Sequence, residues 1–403
     1  MRRIGILMAA LWVSACVSPA ATSTATPVVA PGSPTASATV AATLARTAQP
    51  SPPGAAFVPR LDDQVIQSGL VTPWDVAFTP DGRMLVTERR GTVQLYGSGA
   101  PGAARLATLT VEGVREFGEA GLMGIAVDPS FASNGLVYVC ATRLIPPAGT
   151  PVNQVLRYRL AGSAWSFDAY VIRDGLRSGG NHDGCRIRFD GSNHLWVTMG
   201  ETGVEALSQD PNSLNGKILR VDPDGSIPAD NPIIPGATGR TAVYSWGHRN
   251  PQGIAFNGTD VYAVEHGPDT DDEINFIVPG ANYGWPLLRQ TGGPARGMKD
   301  PIWSSGGVTF ATSGAAFVSG DQWGTWSGSL FVVALKDTSL RRFTVTPTVA
   351  TQQDLLLKAK YGRLRGAVQG PDGALYITTS NRDGRGTPVS GDDRIVRITP
   401  LRP

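Results

Sequence analysis

The sequence predicts an all-β chain folded as a six-bladed β-propeller of four-stranded antiparallel blades, and three observations predict it. A strand-turn-strand unit returns six times after residue 60. Each copy is followed by a further strand able to extend its sheet. The turn dipeptides DG and NG recur in a chain with 49 glycines and 31 prolines, which favours short strands and tight turns over helices.

In order, the copies are WDVAFTPDGRMLVTE from Trp74, MGIAVDPSFASNGLVYVCAT from Met123, CRIRFDGSNHLWVTMGE from Cys185 and QGIAFNGTDVYAVEHG from Gln252. A weaker copy, GAAFVSGDQWGTWSGSLFVVAL, starts at Gly314, and a clear one, GAVQGPDGALYITTSN, at Gly366. The strands that follow them are GTVQLY, NQVLRYRL, GKILRVDP, DEINFIV, SLRRFTV and DRIVRI. A period of roughly 50 to 65 residues with three or four strands per unit is the mark of a propeller, whose repeats stack around an axis because none can bury its faces alone. An irregular pair of β-sandwiches would not need six matched units. DDQVIQSGL, near Asp62, is expected to close the ring by joining the blade whose other strands lie at the C-terminus. Loops at one end of such a ring converge on the axis, where ligands bind.

The first residues, MRRIGILMAALWVSAC, have a basic start, an apolar run and small residues before a cysteine, the layout of a secretory signal. The run is too short to span a bilayer. Val13-Ser14-Ala15-Cys16 resembles the lipobox of bacterial lipoproteins, so residues 1–16 are expected to be a signal with Cys16 as the lipid anchor; an ordinary signal with a chance cysteine is the alternative. Residues 17–56 are Pro, Ala, Ser and Thr with a single charge, Arg46, a composition that cannot collapse onto a core and serves as a tether. Residues 57–403 form the propeller domain. The expected location is extracytoplasmic, anchored in a bacterial cell envelope. Cys140 and Cys185 then remain, as a disulfide or as two buried thiols.

With 35 Lys and Arg against 33 Asp and Glu, the chain carries no global charge signal, and nucleic acid is excluded as a partner. Polar residues concentrate instead in a few loops: FGEAGLMG with Glu119, GGNHDGCR with His182, WGHRNPQG with Arg249 and Asn250, EHGPDTDDEIN with Gly267 and Pro268, ALKDTSLRR with Lys336, and YGRLRGA with Arg363 and Arg365. His182, one of four histidines, sits in a glycine-rich turn between Asn181 and Asp183. Packing in a strand or helix cannot account for it there. Fixed cations facing one cavity repel unless an anion sits between them, which points to a polyanionic small molecule.

LNGKILRVDPDGSIPADNP, SWGHRNPQGIAF, EHGPDTDDEIN with NYGWP, and YGRLRGAVQGPDG resemble the glucose/sorbosone dehydrogenase family, closest to its soluble aldose sugar dehydrogenases, over about residues 61 to 400. The resemblance implies pyrroloquinoline quinone (PQQ) and calcium as cofactors. It implies oxidation of the anomeric carbon of an aldose to the lactone, with electrons passed to an external acceptor. It makes His182 the general base, a role that suits an imidazole because it is neutral and can accept a proton near pH 7. Arg249 would stabilise negative charge on the quinone oxygen, and Asn250 would hold the cofactor edge. Lys336, Arg363 and Arg365 would bind the PQQ carboxylates. The carbonyls of Gly267 and Pro268 would bind calcium. Glu119 and Asn181 complete the cofactor set, at positions where glucose dehydrogenases proper carry Gln and Asp. The acids Asp269 to Glu273 are expected to form an exposed acidic loop, a second calcium site being the alternative. His248 and His266 would shape the pocket, and His194 would be solvated. A calcium-dependent lactonase and a non-catalytic binding propeller are the competing readings, and the Lys336, Arg363 and Arg365 cluster argues against the first.

Overall fold

A computed structural model describes residues 56–145, 149–289 and 291–403. The signal, Cys16 and the tether up to residue 55 lie outside the described residues. Among those described, no helix is long and apolar enough to cross a membrane.

Six four-stranded antiparallel sheets follow one another along the chain. Their first strands, Pro73–Phe78, Leu122–Val127, Ile187–Phe189, Pro251–Asn257, Thr312–Phe317 and Leu364–Gln369, each touch the first strands of both neighbours and so close a ring. The repeats seen in the sequence supply the first and second strands of the blades, and the strands that follow them supply the third. Several second strands are buried at every position, as in Met84–Glu88, Leu195–Met199 and Leu330–Ala334. A blade is covered on both faces by its neighbours, so strict apolar alternation is not required.

Closure joins the two ends of the domain as the sequence suggests. Arg60–Gln67 lies antiparallel to Ile395–Leu401, with Arg60 opposite Leu401 and Gln67 opposite Ile395, and forms the outer strand of blade six. Blades two and three are further tied by a disulfide between Cys140 and Cys185, with Cα atoms 5.8 Å apart.

The two rims of the ring differ in construction. On the lower rim, first strands turn back into second strands through Asp81-Gly82, Asn257-Gly258 and Asp372-Gly373, whose glycines have φ of 85°, 61° and 76°. Such left-handed backbone suits glycine and makes tight turns. Blade two inserts the helical turn Phe131–Asn134 and blade five the 3-10 segment Asp321–Trp326 at the same place. The upper rim, where first strands begin and second strands end, carries the polar loops singled out above.

Candidate active site

A cavity of about 360 Å3 opens at the upper rim, with His182, Arg249, Gly267, Lys336 and Arg363 on its wall. Each comes from the start of a first strand or the end of a second strand, so the propeller alone accounts for their convergence from four blades.

His182 occupies left-handed backbone, φ 56°, held from three sides. Its N–H donates to Glu119 Oε2 at 3.0 Å, its carbonyl accepts from Thr202 N at 3.2 Å, and its Nδ1 lies 2.8 Å from Glu201 Oε1. A side chain on Gly200 would bring Cβ to 1.9 Å from the His182 carbonyl, so glycine is required where the two loops cross. The Glu201 carboxylate accepts a hydrogen from Nδ1, which leaves Nε2 with a lone pair for the cavity.

Glu119 lies across the floor. Its Oε2 also accepts from Asn250 Nδ2 at 3.3 Å and Gln252 Nε2 at 3.4 Å, and Oε1 accepts from Arg385 Nη1 at 3.1 Å. Burial would raise this carboxyl, but positive charge around it, from His266, Arg365 and Arg385, holds it below the usual range. The arginines carry that charge at neutral pH, because burial pulls His266 below its ordinary value.

Arg249 donates from Nη1 to the Gly267 carbonyl at 2.8 Å and lies over the Trp285 ring, 5.3 Å from its centroid. Its Nε has no partner among the described residues, nor do the buried Asn250 Oδ1 and His266 Nε2. Unpaired buried polar atoms around a cavity are what a hydrogen-bonding ligand would satisfy.

The cation cluster departs from the sequence expectation in one respect: an internal anion already sits between two of its members. Asp383 Oδ2 accepts from Arg363 Nε at 3.0 Å, Arg363 Nη2 at 2.8 Å and Arg365 Nη2 at 3.1 Å. Arg365 is also bonded to Ser380 Oγ at 2.9 Å and is 3% exposed, so it lies beneath the cavity wall rather than on it. Asn250, fully buried, lies beneath it too. Lys336 is exposed and unpaired among the described residues.

Three further expectations are corrected. The acidic stretch is exposed only at its start: Asp269 is exposed, but Asp271 and Asp272 are buried, and Asp272 receives the backbone N–H groups of Gly267, Phe310 and Ala311. Backbone donors make that carboxylate a clasp for the loop that carries Gly267. His248 is sealed under the site, its ring on Ser245 Oγ at 2.8 Å, with burial lowering it to about 3. His194 is half-buried against Asp190, Nδ1 to Oδ2 3.2 Å, rather than free in solvent. Glu201, Asp383 and Arg385 belong to the site and were not singled out from the sequence. Their common signal is position, since each follows the second strand of a blade and therefore falls on the upper rim.

The sequence model of the Glucose / Sorbosone dehydrogenase family matches residues 70–391. The chain belongs to that family. Among the family's members it is similar to aldose sugar dehydrogenase YliI of Escherichia coli, 32% identical over 346 residues that cover 81% of this chain and 92% of the relative. A solved structure of the PQQ-bound form of aldose sugar dehydrogenase from Streptomyces coelicolor superposes with a TM-score of 0.73 at 35% identity, covering 85% of this chain and 99% of the other. A putative glucose dehydrogenase from Thermus thermophilus superposes with a TM-score of 0.74 at 39% identity, covering 84% and 100%.

The residues fit PQQ, a flat tricarboxylate. The cavity has unpaired cationic donors on one wall and unpaired buried polar atoms on another. Calcium is less well provided for. The Gly267 carbonyl already accepts from Arg249, and among the described residues no three His, Cys, Asp or Glu side chains converge to hold a metal. A calcium ion at Gly267 and Pro268 would draw most of its oxygen shell from cofactor and water.

Proposed function

We propose that the protein oxidises the anomeric carbon of aldose sugars to lactones, with PQQ and calcium as cofactors and an external electron acceptor. The observation that carries this reading is His182, fixed through Nδ1 by Glu201 with Nε2 left for the cavity, in a site whose unpaired donors suit a polycarboxylate. The names of the similar enzymes support it.

When bound, PQQ supplies the acceptor for the hydride leaving the sugar carbon. Lys336 and Arg363 would hold its carboxylates, and Arg249 would hold the opposite edge, with Asn250 supporting the floor from beneath through Glu119. His182 Nε2 takes the proton of the anomeric hydroxyl. Glu201 keeps the ring oriented and offsets the positive charge the imidazole gains. Arg249 offers a fixed cation near the place where negative charge develops, without reorganisation at the moment of reaction. Glu119, ionised and braced by Arg385, fixes the backbone of His182 and offers an acceptor to a sugar hydroxyl.

The protein is further proposed to be an envelope lipoprotein anchored at Cys16. The signal-like N-terminus supports this, as does a disulfide suited to an oxidising compartment. The strand Arg60–Gln67 begins on the lower rim, opposite the cavity. Cys16→Ala is expected to move the protein out of the membrane fraction; unchanged fractionation would remove the anchor.

The catalytic reading is tested by adding PQQ and calcium to apo-protein and following reduction of an artificial dye with a panel of aldoses. Dye reduction that needs both PQQ and an aldose is expected. PQQ binding without reduction by any aldose would point to a binding propeller, and lactone hydrolysis without PQQ to a lactonase.

A further inference from the structure

The motif LNGKILR, Leu214–Arg220, carries part of the family resemblance yet contributes nothing to the cavity wall. Its lysine, Lys217, is fully buried. Nζ lies 2.6 Å from the carbonyl oxygen of Leu207, 2.8 Å from that of Asn215 and 3.1 Å from that of Ser208. Among the described residues no carboxylate stands within ion-pair distance of it. An ammonium has three hydrogens, and three carbonyls use all of them. Burial pulls Lys217 down to about 7, but the same acceptors hold the proton on, because a neutral amine would set its lone pair against a carbonyl oxygen.

All three acceptors lie on one of two segments that end in the active site, and Ser208 ties that segment to the other. The first runs from Glu201 to Asn215 and contains the helical turn Ala206–Gln209, only four residues long. At its start, Glu201 holds the His182 ring. The second is Gly247 to Asn250, which carries Arg249. Ser208 links them twice: its Oγ donates to the His248 carbonyl at 2.6 Å, and its carbonyl accepts from Gly247 N at 3.0 Å. His248 N donates in turn to the Gly216 carbonyl at 3.1 Å. Without a cation the three converging carbonyl dipoles would repel one another, and those of Leu207 and Asn215 would lie buried without this partner.

We propose that Lys217 is a positioning residue whose ammonium, bound to the carbonyls of Leu207, Ser208 and Asn215, holds the Glu201 segment in the shape from which Ser208 grips the Arg249 segment, so that His182 and Arg249 face the cavity in register. This rests on the assignment of His182 and Arg249 to the reaction. Lys217 touches neither substrate nor cofactor. Its effect is on geometry, and a displacement near 1 Å at reacting groups can cost on the order of a hundredfold in rate.

The test is Lys217→Met, which keeps the length of the stem and deletes the donors, followed by amide hydrogen exchange on the apo-protein. Exchange across Val204–Gly216 and at Gly247 and His248 is expected to speed up by about tenfold or more, with the strand Leu330–Ala334 unchanged. In the loaded enzyme, turnover is expected to fall about ten- to a hundredfold while PQQ affinity and sugar KM stay within about threefold. Unchanged exchange would overturn the proposal, and so would an equal rise in all six blades, which would make Lys217 a general stability residue. If Lys217→Met does not fold, Ser208→Ala cuts only the link to the His248 carbonyl. That variant is expected to lose turnover severalfold with faster exchange at His248, and wild-type values for both would overturn the proposal. Exchange is read without cofactor, so a wild type that oxidises no aldose would sink the proposed function while leaving the exchange result to stand.

Discussion

Two places in the ring set a pair of arginines on one carboxylate, and they differ in what their remaining donors do. Arg186 and Arg188, in RIR at the start of blade three, converge on Asp75 of blade one; Arg363 and Arg365, in RLR at the start of blade six, converge on Asp383. Asp75 uses both oxygens, with contacts of 2.7 to 2.8 Å. The spare donors of its arginines reach backbone carbonyls, Arg186 Nε to Gln252 at 2.9 Å and Arg188 Nη1 to Ile187 at 2.8 Å. Arg186 also stacks on Trp74, 4.0 Å from the ring centroid. Asp383 serves both of its arginines through one oxygen, while Arg363 Nη1 and the neighbouring Lys336 have no partner among the described residues. The same R-x-R signature closes on itself where the pair takes up both oxygens of its carboxylate, and forms a candidate ligand site where cationic donors are left over beside the upper-rim cavity.

The largest effect follows from breaking the closed cluster. Asp75→Ala leaves the buried Arg186 and the half-buried Arg188 without their anion, and the loss of a partner from a buried ion pair costs about 3–5 kcal/mol. Denaturant unfolding followed by fluorescence reads it. A cost near that of a surface substitution would mean the cluster is not closed.

A third buried carboxylate sharpens the comparison because no arginine reaches it. Burial would raise Asp75, but Arg186 and Arg188 hold it below the usual range. Asp183 accepts only from Asn153 Nδ2 at 3.0 Å, Ser178 Oγ at 2.7 Å and Gly179 N, and burial pushes it up to about 6. A carboxyl whose folded pKa lies above its unfolded one binds more protons when folded. Its contribution is therefore present at low pH and lost as pH rises from about 4 through about 6, by roughly 3 kcal/mol for a shift of two units. Asp183→Asn is expected to flatten the pH dependence of unfolding in that window. An identical slope in the variant would show that other groups set it.

The smallest effect comes from the open cluster. Asp383→Asn removes the internal counter-anion and is expected to tighten PQQ binding to the apo-protein by a few fold, read by titration, as like-charged donors gain an incoming carboxylate. Binding weakened tenfold would mean instead that Asp383 holds the guanidiniums in place for the ligand.

The fold was legible in the sequence because each blade repeats its own local pattern, and even the closure by residues 60–67 could be expected from an unpaired strand near the start. The site was legible where a residue stood beside glycines, as His182 does. Its partners were not. Asp75 lies over a hundred positions from the arginines it balances, and Asp383 and Glu201 are single acids in loops whose proximity to Arg363 and His182 exists only once the ring has closed. The burial of Asp271 and Asp272 was hidden for a related reason: backbone N–H groups from the segment near Thr309 neutralise Asp272, and backbone donors leave no trace in composition.

The central claim is that His182 takes the proton of the sugar hydroxyl. His182→Gln leaves Lys336, Arg363 and Arg249 untouched, so it should bind PQQ as the wild type does and show the spectrum of the oxidised cofactor. Stopped-flow mixing with an aldose should then reduce that cofactor about a hundred- to ten-thousand-fold more slowly than in the wild type. Normal PQQ binding with a reduction rate near that of the wild type would contradict the claim and place the base elsewhere in the cavity.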